Sequence, residues 1–263
     1  MITIYEREMF HNFLKSYRLR FLLLLLTVIF PQWVAAQGIV NIEDMRREGQ
    51  IGAFSSLSLS FMGKRGNDKR DNYTIQARFD KNTADIDSFF IVQKSKMKRN
   101  DMVMADSSML HGRVVFKNDS KYDPEIFAQQ TKNPFLRYHQ RDILGAGARI
   151  TLNDHARIGL GLLTENEEDM NAIKTRTERI TSYFHDDYEV AENIDFNVTM
   201  YYQPSIDSTK DYKASILGSF DFKINDNFKI SFAYNTFFDS MPPATAKKRD
   251  ETLTTKLTYY FQK

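Results

Sequence analysis

The feature that most constrains this chain is a period of two that returns from about residue 50 to the C-terminus. SLSLSF (56–61) sets Leu57, Leu59 and Phe61 against three serines. YTIQARFD (73–80) sets Tyr73, Ile75, Ala77 and Phe79 against Thr74, Gln76, Arg78 and Asp80. IDFNVTMYY (194–202), FKISFAYNTFF (228–238) and LTTKLTYYF (253–261) repeat the pattern. Successive side chains of a β-strand point to opposite faces, so each run has one apolar and one polar side. No window after residue 37 keeps a 3.6-residue apolar period over three turns, which argues against long helices.

Twelve such runs are expected, at approximately 50–63, 70–80, 86–98, 103–117, 122–131, 141–152, 156–164, 176–186, 191–204, 210–223, 227–238 and 250–262. The fifth and eighth carry polar residues on both faces. Connectors after even-numbered runs are mostly short (KNTAD, NDSK, NDH, NDN). Those after odd-numbered runs are mostly longer (GKRGNDK, TKNPFLRYHQ, ENEEDMNAIKT, DSMPPATAKKR). Such sorting is expected when both termini lie on one side of a membrane and the loops lie on the other.

Which face is inside is argued from ILGAGARITLNDHARIGLGLLTE (143–165). Leu144, Ala146, Ala148, Ile150 and Leu152 continue across a turn at Asn153–His155 into Ala156, Ile158, Leu160 and Leu162. The opposite face holds glycine, arginine and threonine, with Arg149 falling opposite Gly159 and Gly147 opposite Gly161. A soluble core needs large interlocking side chains on its inner face, and Gly and Arg do not supply them. The apolar face is therefore expected to meet lipid, and the Gly/Arg face to line a wet or charge-paired lumen. The glycines would let the wall bend or leave room for an arginine from across the lumen.

The expected fold is all-β: a single antiparallel transmembrane barrel of about 12 strands over 49–263. A hydrophobic fraction of 42% and a negative mean hydropathy agree, because alternating strands average out like a soluble protein. Aromatic pairs near strand ends (Phe89-Phe90, Tyr201-Tyr202, Phe237-Phe238, Tyr259-Tyr260) suit a lipid–water interface. The last strand ends on LTYYFQK, where Tyr259 and Phe261 look like the C-terminal assembly signal of bacterial outer-membrane barrels, here followed by two further residues.

Before the strands, Lys15, Arg18 and Arg20 precede FLLLLLTVIF (21–30), then Pro31 and the small residues VAA (34–36). This reads as a secretory signal peptide over 1–36, cleaved after Ala36, with Met9 an alternative start. Its apolar core is too short to span a bilayer as a helix. Residues 37–48 then form a short periplasmic segment. Removing 1–36 leaves 32 basic and 32 acidic side chains, a balance that gives no pointer to nucleic acid. There is no cysteine, so disulfide and thiolate chemistry are excluded.

EIFAQQTKNPFLRYHQRDILGAGARITL (125–152) carries a family resemblance. Phe127, Arg141, Gly145 and Gly147 stand as an aromatic strand, a polar linker, an arginine and a small-residue G-x-G strand. The stretch resembles a family of uncharacterised bacterial outer-membrane β-barrel proteins, a domain of unknown function labelled salt-induced outer membrane protein. The resemblance covers 48–263 and implies a signal peptide followed by one barrel. It brings no catalytic residues, metal site or cofactor.

No enzyme motif stands out. Ser–His catalysis in a barrel wall needs a hydroxyl and a histidine on one face. His111 lacks a hydroxyl two residues on, His139 and His155 lie at connectors, and His185 has only Asp186 and Asp187 beside it. Those two point to opposite faces, so they do not converge on a metal. ENEED (165–169) reads as an acidic stretch of an external loop, open to a divalent cation, and KKRD (247–250) as a basic counterpart for it or for lipopolysaccharide phosphates. By face parity the lumen is lined by Arg78, Arg113, Lys117, Arg149, Arg157, Asp195, Lys213, Asp221, Lys229 and Lys256. Paired, these charges plug the barrel; unpaired, they line a small pore biased toward anions.

The reading is an outer-membrane barrel of a Gram-negative bacterium, either a narrow small-solute channel or a structural envelope protein. Its expected partners are outer-membrane lipid, lipopolysaccharide and the barrel-assembly machinery. Two alternatives are a membrane-embedded lipid or lipopolysaccharide hydrolase and a soluble periplasmic barrel that binds a lipophile.

Overall fold

The computed structural model describes residues 50–64, 70–118 and 120–261. The expected signal peptide, its cleavage point and the segment 37–48 lie outside the described residues. Twelve strands follow in order: β1 (Gly52–Lys64), β2 (Arg70–Asn82), β3 (Ile86–Arg99), β4 (Met102–Phe116), β5 (Tyr122–Asn133), β6 (Tyr138–Thr151), β7 (Ala156–Asp169), β8 (Lys174–Ala191), β9 (Ile194–Pro204), β10 (Tyr212–Lys223), β11 (Phe228–Asp239) and β12 (Arg249–Phe261). Each pairs antiparallel with its sequence neighbours. β1 closes on β12 from Ser55↔Phe261 to Ser60↔Lys256, which makes a closed barrel.

The register of the β6–β7 hairpin is the expected one, with Arg149 opposite Gly159 and Gly147 opposite Gly161. Its apolar face points outward: Leu144, Leu160 and Leu162 are 63%, 52% and 58% exposed, while Arg149 and Arg157 are 3% and 5%. The same sidedness runs round the wall, with Ile75, Phe79, Phe90, Leu110, Ile126, Ile180, Ile216, Phe232 and Leu257 all exposed. A soluble lipophile-binding barrel requires the opposite arrangement. Bare aliphatic and aromatic side chains in a continuous belt are stable only against hydrocarbon.

Aromatic rings edge this belt. At the rim where β1 begins and β12 ends, Phe228 and Tyr259 lie 4.9 Å apart and Tyr259 and Phe261 4.8 Å. At the other end Phe61 meets Tyr73 at 5.1 Å, and Tyr212 meets Tyr202 at 5.6 Å and Phe238 at 5.4 Å. Only one ring of each aromatic pair sits there. Phe89, Tyr201 and Phe237 turn inward and are buried, because adjacent strand residues face opposite ways.

The connectors differ from expectation. Strands take up residues that looked like loops. β7 runs on to Asp169, so ENEED (165–169) is strand and not external loop, and the hairpin tip is only residues 170–173. Asp169 stabilises that tip. Its Oδ1 accepts the backbone N–H groups of Ile173 (2.9 Å) and Asn171 (2.8 Å), and these bonds hold its carboxyl below the usual carboxylate range. β8 reaches 18 residues. The β3–β4 connection is just Asn100 and Asp101, both at positive φ. Length sorting survives only in residues 205–211 and 240–248, the longest of the described connectors.

Two inward glycines have a definite steric reason. A Cβ on Gly145 would run into the Phe127 ring, and one on Gly159 into the Tyr183 ring. The space is taken by rings from adjoining strands, and not by an arginine from across the lumen as the sequence suggested. Gly147 and Gly161 leave no room either, since a Cβ on one would strike the other strand's backbone.

Sidedness gives a first test. Leu160→Arg, on the lipid face of β7, should lower unfolding stability by about 2–4 kcal/mol near the bilayer midplane. The midpoint of urea unfolding in lipid vesicles reads this out, and an unchanged midpoint would contradict the assignment of faces.

Candidate functional site: the ion-paired lumen

The inward face carries arginines, carboxylates and rings in two layers. The first lies toward the rim where β1 begins and β12 ends. Arg78 on β2 is wholly buried. Its Nε donates to both carboxylate oxygens of Asp80 at 2.9 Å, its Nη2 to Oδ1 at 2.7 Å, and its guanidinium lies 4.0 Å over the Phe89 ring. His111 stacks between Phe89 (5.7 Å) and Phe127 (6.4 Å). Arg113 on β4 covers Phe127 at 4.6 Å, reaches toward Tyr183 at 5.9 Å, and donates from Nη1 to both oxygens of Glu125 at 2.9 Å. Arg149 donates from Nε to the Tyr183 hydroxyl at 3.1 Å and stands 3.9 Å from Glu125. Tyr183 meets Tyr201 at 5.6 Å. A planar guanidinium can stack on a ring and fork onto a carboxylate at once, which suits arginine and not lysine to this layer.

The second layer lies toward the opposite mouth around Glu165 on β7, which is 3% exposed. Its Oε2 accepts Arg141 Nη2 at 2.8 Å and Arg179 Nε at 3.2 Å, and its Oε1 accepts Lys213 Nζ. Lys213 also donates to Glu167 at 2.9 Å and lies 3.7 Å from Asp239. Arg179 forks onto Asp211 at 3.0 and 3.2 Å. Three cations thus share one carboxylate, and Glu167, Asp211 and Asp239 balance them. Below this layer the 3₁₀ turn at Pro134–Leu136, between β5 and β6, sends Leu136 inward. It packs among Tyr138, Tyr183, Tyr201, Leu217 and Phe237.

The sequence-derived lumen set is placed as follows. Arg78, Arg113, Arg149, Arg157, Lys213, Asp221 and Lys229 are buried on the inward face. Lys229 donates to Asp221 at 2.7 Å, and Arg157 lies 3.6 Å from Asp187. Lys117 follows the end of β4 and bonds Asp87 at 2.9 Å, and Asp195 bonds the half-exposed Lys223 at 2.7 Å, so both belong to the rim. Lys256 shares an inward row with Ser60 and Ser231 and is half-buried. Tyr259 and Phe261 face outward in the aromatic edge.

Glu165, Glu167, Arg141 and Arg179 were missed as lumen residues. Four acids in five residues resemble a solvated loop, yet the hairpin register already contained the signal. Continued outward from Arg149↔Gly159, it sets Arg141 opposite Glu167 and Ile143 opposite Glu165. KKRD (247–250) is not the partner of these acids in the described pairs; Lys213 is.

The histidines do not assemble a reactive site. His185 Nδ1 lies 2.8 Å from Thr199 Oγ1 and its Nε2 3.9 Å from Asp187, but Thr199 is fully buried and offers no hydroxyl to a substrate. Among the described residues no group of three or more histidine or acidic side chains is arranged to hold a metal ion. A lumen cavity of about 40 Å³ lies among His111, Arg113, Glu125, Phe127, Gln129, Tyr183, Tyr201 and Gln203. It has room for about three waters.

A family model described as "Protein of unknown function, DUF481" matches residues 57–261. No curated protein matches the chain. Among solved structures, the barrel is similar to an outer-membrane channel from Pseudomonas putida F1, at 8% identity and a TM-score of 0.52, covering 85% of this chain and 100% of that one. It is also similar to the NanC porin, at 6% identity and a TM-score of 0.49, covering 80% of this chain and 100% of that one. The likeness is one of fold.

Removing one partner of a buried ion pair strands the others, at a cost of about 3–5 kcal/mol. Glu165→Gln is therefore expected to lower stability by that order. Glu168→Gln, at an outward, exposed pair with Lys174 (3.6 Å), should stay within about 0.5 kcal/mol of the parent. The temperature at which the heat-modifiable gel band converts to the unfolded one separates the two.

Proposed function

The chain belongs to the DUF481 family, and from that membership and the ion-paired lumen we propose that it forms a narrow small-solute channel that rests closed in the outer membrane of a Gram-negative bacterium. The observation that carries this reading is the Glu165 layer. It gathers charged side chains of β6, β7, β8 and β10 into the lumen near one mouth, on a face that a purely structural barrel has no need to charge. The lower layer supports the same reading, since its cations are matched by Asp80 and Glu125 within bonding distance. A lumen so balanced has little charge bias until the pairing is disturbed. The signal peptide ending at Ala36 delivers the chain, and Tyr259 and Phe261 at the end of β12 present it to the barrel-assembly machinery.

A structural envelope barrel is the second reading, favoured by the pairing of buried inward arginines and lysines with carboxylates. A lipid hydrolase has less support, because Thr199, the hydroxyl that meets His185, is buried.

Planar-bilayer recording decides between the two leading readings. The parent barrel should show rare, small conductance steps with weak ion preference. Glu165→Ala leaves Arg141, Arg179 and Lys213 facing the mouth without their shared carboxylate. It should raise open time several-fold and move the reversal potential in a salt gradient toward anions. Folded parent and variant barrels that both stay silent would favour the structural reading.

A further inference from the structure

The lumen cavity of about 40 Å³ lies among paired charges, yet two side chains on its wall hold hydrogen-bond acceptors that are unused. His111 Nδ1 stands 3.1 Å from Gln129 Oε1, and Gln129 Nε2 donates to Thr131 Oγ1 at 3.0 Å. An amide oxygen can only accept, so His111 carries its proton on Nδ1 and its Nε2 presents a bare lone pair. Gln203 Nε2 donates to Thr181 Oγ1 at 3.1 Å, which leaves its Oε1 over as an acceptor. Neither His111 Nε2 nor Gln203 Oε1 has a hydrogen-bond partner among the described residues, and the donor Arg113 Nε lacks one as well. The three side chains are 3%, 6% and 6% exposed, so bulk water does not serve them. Buried polar groups in folded proteins are paired, and three unpaired ones around one cavity point to an occupant.

The surroundings decide the occupant's charge. The charged groups on the wall are already engaged, Arg113 with Glu125 at 2.9 Å and Arg141 with Glu165 at 2.8 Å. What is left over is neutral: two acceptors and one donor. A cation would stand against Arg113 and Arg141. An anion would meet the lone pairs of His111 and Gln203. An uncharged molecule with N–H donors and one carbonyl matches all three groups. The cavity also limits size, to about three waters or one planar molecule of about four heavy atoms. Phe127, Tyr183 and Tyr201 supply much of the remaining wall, and aromatic rings pack well against flat groups.

We propose that this cavity is a binding site for a small uncharged amide of the urea type, whose N–H groups donate to His111 Nε2 and Gln203 Oε1 and whose carbonyl accepts from Arg113 Nε. The proposal deepens the channel reading, on which it rests for access from the aqueous mouths, by naming the class of solute: small, flat, neutral and rich in donors. The wall of the site holds Arg113 of the first ion-paired layer and Arg141 of the second. A solute moving along the lumen would therefore meet it between the two.

The test is nuclear magnetic resonance of the folded barrel in detergent micelles, with isotope-labelled histidine nitrogens, titrated with urea below denaturing concentrations. The strands and their connectors hold His111, His139, His155 and His185, and the signal lost in His111→Phe assigns the His111 Nε2 resonance. In the parent, urea should move that resonance saturably. Guanidinium (the same shape but positive), acetate (negative) and acetone (no donor) should bind at least tenfold more weakly. Gln203→Leu should weaken urea binding at least tenfold, and Gln130→Leu, at an exposed position on β5, should bind like the parent. Heat-modifiable migration confirms that each variant is folded, and the comparison of four ligands on the parent stands alone if Gln203→Leu does not fold. An unmoved resonance in the folded parent, which would leave water as the occupant, would overturn the proposal. So would equal binding of any control ligand, or unchanged affinity in folded Gln203→Leu. Urea uptake by proteoliposomes checks the channel reading separately: binding without uptake would overturn that reading and leave the site standing.

Discussion

A chain that crosses hydrocarbon has no water to satisfy its backbone, so every N–H and C=O in the membrane needs a partner within the protein. For strands the only complete solution is closure, and here closure rests on the short seam between β1 and β12, from Ser55↔Phe261 to Ser60↔Lys256. The other constraints descend from that seam. An even number of antiparallel strands returns both described ends to one rim. The belt of Leu, Ile and Phe must then face outward, and whatever is charged must go inside.

Placing charge inside a narrow barrel creates a second problem, and the arginine-rich layers solve it. Taking one ion out of water costs several kcal/mol unless geometry returns it. Arg78 and Arg113 recover it twice over, through forked bonds to Asp80 and Glu125 and through stacking on Phe89 and Phe127. The Glu165 layer differs in kind. Backbone ladders tie each strand only to its neighbours, whereas Lys213 on β10 reaches Glu165 and Glu167 on β7. That contact bridges β7 and β10 past β8 and β9, so the curvature of the wall there depends on side-chain charge as well as on the sheet.

Much of this was legible in the sequence, and the reasons differ by element. Strand positions followed from a period-two pattern that has few alternatives, and the β6–β7 register followed from a three-residue turn. Sidedness was readable because Gly145, Gly147, Arg149, Arg157 and Gly159 cannot build a soluble core. Parity placed Arg78, Arg113, Arg149 and Lys213 on the inward face, but it could not choose their partners, since contacts such as Lys213–Glu165 cross the lumen and leave no local trace. Parity also fails where strands outrun the bilayer. Above the belt both faces of β7 and β8 are polar, so ENEED looked like loop. At the rim, Lys117 and Asp195 had the right face but too little depth.

Glycine carries two opposite meanings in this wall. Gly145 and Gly159 face inward and are fixed by rings that lie where their side chains would be, so their smallness serves density. Gly112 faces outward with open space before it, and its smallness serves vacancy. A barrel that needed only stability would fill the second as tightly as the first, because a larger apolar residue there meets no obstacle and suits a strand better. Packing alone therefore accounts for the interior glycines and gives no such reason for the outward Gly112 and Gly218, each with open space before it.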